Sequence, residues 1–303
     1  MGVMKNLRGK HALVTGAASG IGRATALALA RQGVHVAILD RNEEGLNSLA
    51  QELLRYPIDT LLLPCDLTHP SDISSAVQDL LVQWEILDIL INNAGVVYYG
   101  ATDRMTMEEW HWLMQINLHA PIQLTQELLP TLLAQDEAHI LNVSSIAGLV
   151  AHKNLAAYHT SKFGLVGFSE SLRAEYANRN LGVSVLCPGL VRTPLHDNAV
   201  VRKRRKLPRP SWWLSASPET VAKHAIRAIR RNKGTVVVTP LARLLWMFKR
   251  FFPGLFDYVR SFSRKKLMGS IHSGSRQRED LPMQPAEVGT PENCAGITRF
   301  QSF

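Results

Sequence analysis

Short apolar runs of strand length alternate with amphipathic segments of helix length through most of this chain: His11–Thr15, then Gly22–Gln32, Val34–Leu39, Gly45–Leu54, Leu61–Pro64, Ile73–Gln83 and Ile89–Ile91. That alternation is the pattern of parallel β-α-β units. It continues through helices around Met107–Leu118, Ala120–Leu133 and Ala157–Arg179 and strands at His139–Val143 and Val183–Cys187, and Thr235–Val238 makes a seventh strand. Strands this apolar, with helices between them, must be covered on both faces. The pattern therefore predicts an α/β fold: a doubly wound, mostly parallel, seven-stranded sheet. With 303 residues, 46% of them hydrophobic, the chain can bury a core without staples, which excludes wholesale disorder. We read residues 1–240 as one domain.

Beyond Thr239 the character changes. Leu241, Leu244, Leu245, Phe248, Phe252 and Leu255 fall on one helical face with Arg243 and Arg250 opposite, and Pro253-Gly254 should break that helix. Residues 241–268 thus read as a basic amphipathic extension. Residues 269–303, rich in Ser, Gly, Gln, Pro and charge, read as a disordered tail. The formal charge of +9 is unevenly spread: residues 1–200 carry 13 basic and 19 acidic side chains, net −6, whereas residues 201–303 carry 21 and 6, net +15. Basicity therefore belongs to the last third and not to the sheet.

Cys65, Cys187 and Cys294 are too few and too scattered for a disulfide framework or a zinc site. His111, His119, His152 and His159 lack ligand spacing to carboxylates or cysteines, so no metal site is expected. Met1–Lys10 lacks the apolar run of a signal peptide, and Arg243, Lys249, Arg250 and Pro253 interrupt the most apolar late segment. The expected location is cytoplasmic, with peripheral membrane association as a second reading. Asn142-Val143-Ser144 fits a glycosylation triplet but falls in an expected buried strand.

The first strand runs into Gly16-Ala-Ala-Ser-Gly20-Ile-Gly22 and then a helix. Glycines at such a turn let backbone approach a pyrophosphate, and the helix N-terminus behind them favours its charge. Asp40, ending the second strand 18 residues beyond Gly22, is placed to accept hydrogen bonds from an adenosine ribose. A carboxylate there repels a 2′-phosphate, which favours NAD, while Arg41 leaves NADP open. Asp40 as a helix N-cap and Arg41 as an exposed loop charge are the bland alternatives.

Tyr158 and Lys162 stand four apart in a helical segment, one turn apart on one face. An ammonium there favours phenolate and would bring the phenol toward the working range of a general acid/base. Ser145 lies thirteen residues upstream, at the end of the strand containing Ile140–Val143, where open sheets bind ligands.

Over residues 7–240 these features resemble the short-chain dehydrogenase/reductase family, oxidoreductases with a Rossmann-type fold. Thr15-Gly16-x-x-x-Gly20-x-Gly22 is similar to its cofactor turn, Asp66 to its adenine contact, and Asn92-Asn93-Ala94-Gly95 to its mark on the fourth strand. Asn117, Ser145, Tyr158 and Lys162 match its catalytic tetrad, and Pro188-Gly189 with Thr193 its nicotinamide carboxamide segment. The resemblance implies that Tyr158 is the acid/base, that Lys162 lowers its pKa and binds the nicotinamide ribose, that Ser145 rather than Ser144 binds the substrate oxygen, and that Asn117 holds a water. The implied cofactor contacts are Thr15, Gly16, Ser19, Gly20, Ile21, Gly22, Asp40, Arg41, Asp66, Leu67, Asn93, Ala94, Gly95, Tyr158, Lys162, Pro188, Gly189, Val191 and Thr193.

The segment 195–214 is then the expected substrate lid. It holds the cations Arg202-Lys-Arg-Arg-Lys206, Pro208, Pro210 and the pair Trp212-Trp213. A solvated loop, an anionic substrate group and an acidic membrane surface each suit that content; no nucleic-acid motif accompanies it. The leading expectation is an NAD(P)-dependent enzyme interconverting an alcohol and a ketone or aldehyde on an apolar, lipid-, retinoid- or steroid-like substrate, assembled as a homodimer or homotetramer. The alternatives are a non-catalytic dinucleotide sensor or scaffold, and a relative with non-redox chemistry.

Overall fold

A computed structural model of the chain describes residues 4–193, 200–201 and 215–258. The strands of the main sheet are β1 (His11–Thr15), β2 (His35–Asp40), β3 (Thr60–Pro64), β4 (Ile89–Asn92), β6 (Ala138–Val143), β7 (Leu181–Cys187) and β9 (Thr235–Val237). They lie in the order β3-β2-β1-β4-β6-β7-β9, and every neighbouring pair is parallel. All seven strands read from the sequence are present. The helices are α1 (Gly20–Ala30), α2 (Glu43–Leu53), α3 (Pro70–Trp84), α4 (Met107–Met114), α5 (Ala120–Leu133), α6 (Ala156–Glu175), α7 (Pro218–Arg230) and α8 (Pro240–Phe251).

The two-sided burial that makes the strands apolar is visible residue by residue. Ala12 and Val14 of β1 join the core formed with Leu29 of α1, Leu49 of α2 and Ile229 of α7, while Leu13 between them joins the core formed with Leu80 of α3, Leu128 of α5 and Leu172 of α6. Val36 and Ile38 alternate with Ala37 and Leu39 in the same way on β2. A strand sandwiched between two helical layers cannot show a polar face.

From β1 the chain winds outward through β2 and β3, then returns to place β4 on the other side of β1. The turn after β1 and the loop after β4 diverge at that switch point and leave a crevice at the carboxyl ends of the strands. Buried polar groups fix the register beside it. Asn92 Nδ2 on β4 donates to Asn142 Oδ1 on β6 at 2.8 Å, and Asn142 Nδ2 donates to Ser169 Oγ on α6 at 2.9 Å.

Some details differ from the sequence reading. The expected helices Met107–Leu118 and Ala120–Leu133 form one continuous run, because a π-helical stretch, Gln115–His119, joins α4 to α5. Two further strands, β5 (Tyr98–Tyr99) and β8 (Val200–Val201), pair in parallel as a small second sheet. The expected domain end at residue 240 moves outward: Ala242 and Trp246 of α8 pack against Val166, Val185 and Cys187, and the compact unit runs through Pro253. The helix ends at Phe251, shortly before Pro253. Residues 254–258, described by themselves, belong to a second unit and are helical. Of the expected lid 195–214 only Val200–Val201 is described; Arg202–Lys206, Pro208, Pro210, Trp212, Trp213 and the tail 269–303 lie outside the described residues.

Candidate active site

At the end of β1 the turn is shaped to bring backbone close to something. Gly16 and Gly20 have φ of +65° and +55°, in the left-handed region that disfavours side chains. A Cβ on Gly22 would sit 2.1 Å from the Gly16 carbonyl oxygen, so only glycine permits this packing of α1 on the turn. Ser19 caps α1 with extended backbone, yet its side chain makes no capping hydrogen bond. The first-turn N–H groups thus have no side-chain cap, as in α3, α5 and α6 and unlike α2, α7 and α8, where Asn42, Ser217 and Thr239 side chains cap; here the open terminus follows directly on the glycine turn.

Two residues expected to touch cofactor also build the turn. Thr15 Oγ1 accepts from Asn93 N and Ala94 N, each at 3.0 Å, and donates to Ile91 O. Asn93 Nδ2 donates to Thr15 O at 2.8 Å and Gly16 O at 3.3 Å. These bonds tie the Gly-rich turn to the end of β4. Thr15→Val, isosteric but without the acceptor, is expected to strand two N–H groups beside a fully buried side chain and lower the unfolding free energy by about 1–3 kcal/mol in urea titrations. An unchanged midpoint at unchanged slope would refute this pinning role.

Asp40 sits at the mouth. Its Oδ2 accepts from Ala18 N and its Oδ1 from Asn42 N, both at 3.0 Å, so the carboxylate bridges the glycine turn and the start of α2. The N-cap is Asn42, whose Oδ1 accepts from Gly45 N, and not Asp40. Arg41 is exposed and borders the cleft. Asp66 Oδ1 accepts from the Thr68 backbone N and hydroxyl, each at 2.9 Å. Burial pushes that carboxyl up, but these two bonds with the nearby Arg41 and His69 outweigh it and hold it below its ordinary value.

At the other end lie Tyr158 and Lys162 on α6, both buried. Lys162 Nζ lies 6.0 Å from the Tyr158 ring centre and donates to Val143 O at 3.1 Å. Burial lowers the Lys162 ammonium to about 8, with Cys187 nearby opposing the shift. Burial also raises the Tyr158 phenol above its ordinary value, and a hydrogen bond with the Ser145 hydroxyl opposes that rise. The expected lowering of the phenol by its lysine neighbour is therefore overturned by desolvation in this structure. A neutral phenol, a proton donor, is the form at neutral pH.

The two serines separate cleanly. Ser144 Oγ donates to Lys162 O at 3.0 Å, whereas Ser145 Oγ, besides its bond with the phenol, accepts from Ala147 N at 3.1 Å. Asn117, within the π-helical stretch, is completely buried. Its Nδ2 donates to Val96 O and Ser161 Oγ, and its Oδ1 accepts from Val96 N. That Oδ1 and Lys162 Nζ border the same space over Gly95, each 3.3 Å from where a Cβ would stand.

A single cleft of about 380 Å³ runs between the ends. It is lined by the expected residues Gly16, Ser19, Gly20, Ile21, Asp40, Arg41, Asp66, Leu67, Asn93, Ala94, Gly95, Tyr158, Lys162 and Thr193. Pro188, Gly189 and Val191 stand behind it. Pro188 O accepts from Ile146 N, a Cβ on Gly189 would collide with Thr239, and the Val191 side chain is in the core. The cleft also takes in Leu39, Cys65, Val96, Trp112, Ile116 and Val143, which the sequence reading missed, and Ser144, the alternative to Ser145, which is not itself among the lining residues. Leu39, Cys65 and Val143 end or follow β2, β3 and β6, a positional signal that was available; Trp112 and Ile116 depend on how α4 lies and had none. No cluster of three or more metal-ligating side chains occurs among the described residues.

A glycine turn on an open helix terminus, an acidic residue at the end of β2 and, across one cleft, buried Tyr158 and Lys162 with the half-buried Ser145 define a dinucleotide-dependent oxidoreductase class. Comparison with known proteins agrees. The short chain dehydrogenase family profile matches residues 10–203. Dehydrogenase/reductase SDR family member 7B of Bos taurus is 32% identical over 276 residues, 88% of this chain and 85% of that protein. A metagenomic short-chain oxidoreductase solved in complex with NADP is 31% identical, with a TM-score of 0.66 over 78% of this chain and 99% of that one. The 3-ketoacyl-(acyl-carrier-protein) reductase of Brucella melitensis, complexed with NADH, is 29% identical, with a TM-score of 0.67 over 77% and 97%. The chain belongs to the short-chain dehydrogenase/reductase family, NAD(P)-dependent oxidoreductases.

Proposed function

We propose that this enzyme interconverts an apolar secondary alcohol and ketone, or primary alcohol and aldehyde, with NAD as the preferred dinucleotide. The observation that carries the reading is the buried Tyr158 phenol, bonded to Ser145, at the inner end of the cleft that begins at the glycine turn. The α1 N-terminus, Asp40 and Asp66 would hold the adenosine and pyrophosphate end, and Lys162 and Thr193 the nicotinamide end. A nicotinamide held there supplies or accepts the hydride. Tyr158 gives its proton to the carbonyl oxygen, or takes one from the alcohol in reverse, and Ser145 orients that oxygen. Asn117 Oδ1 and Lys162 Nζ, which face each other over Gly95, would hold a water that carries the proton onward.

The apolar substrate is supported by the cleft wall near Tyr158, where Val96, Trp112 and Ile116 line the space, backed by the buried cluster of Val97, Tyr98, Leu113 and Ala157. A polar, many-hydroxyl substrate would leave its groups unpaired there. A panel in which small polar alcohols outpace long-chain or polycyclic ones would reject this class. Assembly as a homodimer or homotetramer belongs to the same reading and is open to sedimentation.

The NAD preference rests on Asp40. A carboxylate some 4 Å from a 2′-phosphate costs about 1–4 kcal/mol, a roughly 5- to 1000-fold discrimination. Asp40→Asn is expected to lower the ratio of kcat/KM for NAD over NADP by about that factor, Arg41 then being free to attract the phosphate. Wild-type enzyme that prefers NADP, or a ratio indifferent to the substitution, overturns the assignment.

A further inference from the structure

The last helix of the sheet domain is docked by a narrow strip and leaves most of its apolar surface uncovered. Ala242 is buried, Trp246 packs beside it, and Lys249 Nζ donates to Leu149 O at 2.7 Å while lying 5.1 Å from the Phe163 ring centre. Positions 242, 246 and 249 lie on one side of a helix. On another side stand Leu241, Leu244, Leu245 and Phe252, with Met247 and Phe251 at its edge, all exposed; Leu244 is 65% and Phe251 66% accessible. Five large exposed apolar side chains on one 12-residue helix, with Phe252 just beyond its end, exceed the scatter of a solvated surface.

Charge decides what such a face fits. Along Pro240–Phe251 the charged residues are Arg243, Lys249 and Arg250, all cationic, with no carboxylate among them. Arg250 stacks 5.7 Å from the Trp246 ring centre, between the docked strip and the solvent. An anionic bilayer meets both halves of the pattern, since phosphates take the guanidinium groups and the acyl boundary takes Leu and Phe. The net +15 of residues 201–303 adds attraction of the same sign. No helix among the described residues is long and apolar enough to cross a membrane, so the contact is one of lying on the surface.

We propose that α8 is a membrane-docking helix, which inserts Leu241, Leu244, Leu245, Phe251 and Phe252 at the headgroup boundary of an anionic lipid surface with Arg243 and Arg250 on lipid phosphates. The full chain is sedimented with vesicles of phosphatidylcholine alone and of phosphatidylcholine with phosphatidylglycerol, at low and at high salt. Wild type is expected to bind the anionic vesicles at low salt and to bind roughly tenfold less well both to neutral vesicles and at high salt. Leu244→Asp/Phe252→Asp, changing exposed side chains only, is expected to bind roughly tenfold more weakly, with thermal unfolding and dinucleotide binding unchanged to certify the fold. Wild type that ignores anionic vesicles, or a double variant that binds them as wild type does through charges elsewhere, overturns the proposal. A wild-type dimer that the double variant splits, without vesicle binding by either, assigns the face to a second copy instead.

Discussion

Replacing Tyr158 by phenylalanine is expected to lower kcat by roughly 10²–10⁴-fold, the usual contribution of a positioned acid or base. The substitution removes one oxygen and leaves the ring in its cluster with Val97, Leu113 and Ala157, so the fold should persist. Dinucleotide affinity is expected to stay within about a factor of two or three. Trp112 lines the cleft and offers a fluorescence signal for NADH binding that is independent of turnover. Together the two readouts separate chemistry from assembly of the site. Activity close to wild type would remove Tyr158 from the mechanism, and lost NADH binding would make it a structural residue.

The second large effect is on stability in acid. His139 on β6 is entirely enclosed, with Nε2 paired to Ser184 Oγ at 2.9 Å, and burial, aided by Arg173, lowers its pKa from 6.5 to about 3. In the unfolded chain the imidazole takes up its proton as pH falls through 6.5, whereas the native protein refuses it until about 3. The unfolded state therefore binds one more proton across that window, and stability conferred by the neutral ring, full above pH 6.5, drains away at up to about 1.4 kcal/mol per pH unit, on the order of 5 kcal/mol in all. His11, also lowered by burial and by His35, adds loss of the same sign. His139→Gln, which does not titrate, is expected to flatten the fall between pH 6.5 and 4 in urea unfolding, whatever it costs at neutral pH. Parallel wild-type and variant curves would show that His139 is not the source.

The seven-stranded sheet was legible because both-face burial writes each strand as a mostly apolar run, as in Ile89–Ile91 and, with Ser184 the one polar residue, Val183–Cys187. Tyr98–Tyr99 and Val200–Val201 were not, since two residues carry no periodicity. The π stretch escaped because Pro121 reads as a helix start, and nothing local distinguishes that from a continuing helix whose hydrogen bonds shift by one residue. Within the site, residues that face the cleft by their place at strand ends were readable. The part of Thr15 was not, because a threonine before the glycine turn looks the same whether its hydroxyl meets a ligand or the ends of β4. The direction of the Tyr158 shift was misjudged for a related reason: spacing reveals the neighbouring ammonium but not how deeply both groups lie.

The return of the chain from β3 to β4 also bears on synthesis. When residues up to about 100 have left the ribosome, β3, β2, β1 and β4 can pair, but β4 then forms an open border with unpaired amides until β6 arrives some fifty residues later. Asn92, the one polar side chain of that strand, waits there for Asn142. For that interval β4 is an edge at which another chain could pair, and the Asn92–Asn142 register forms only when β6 closes the border.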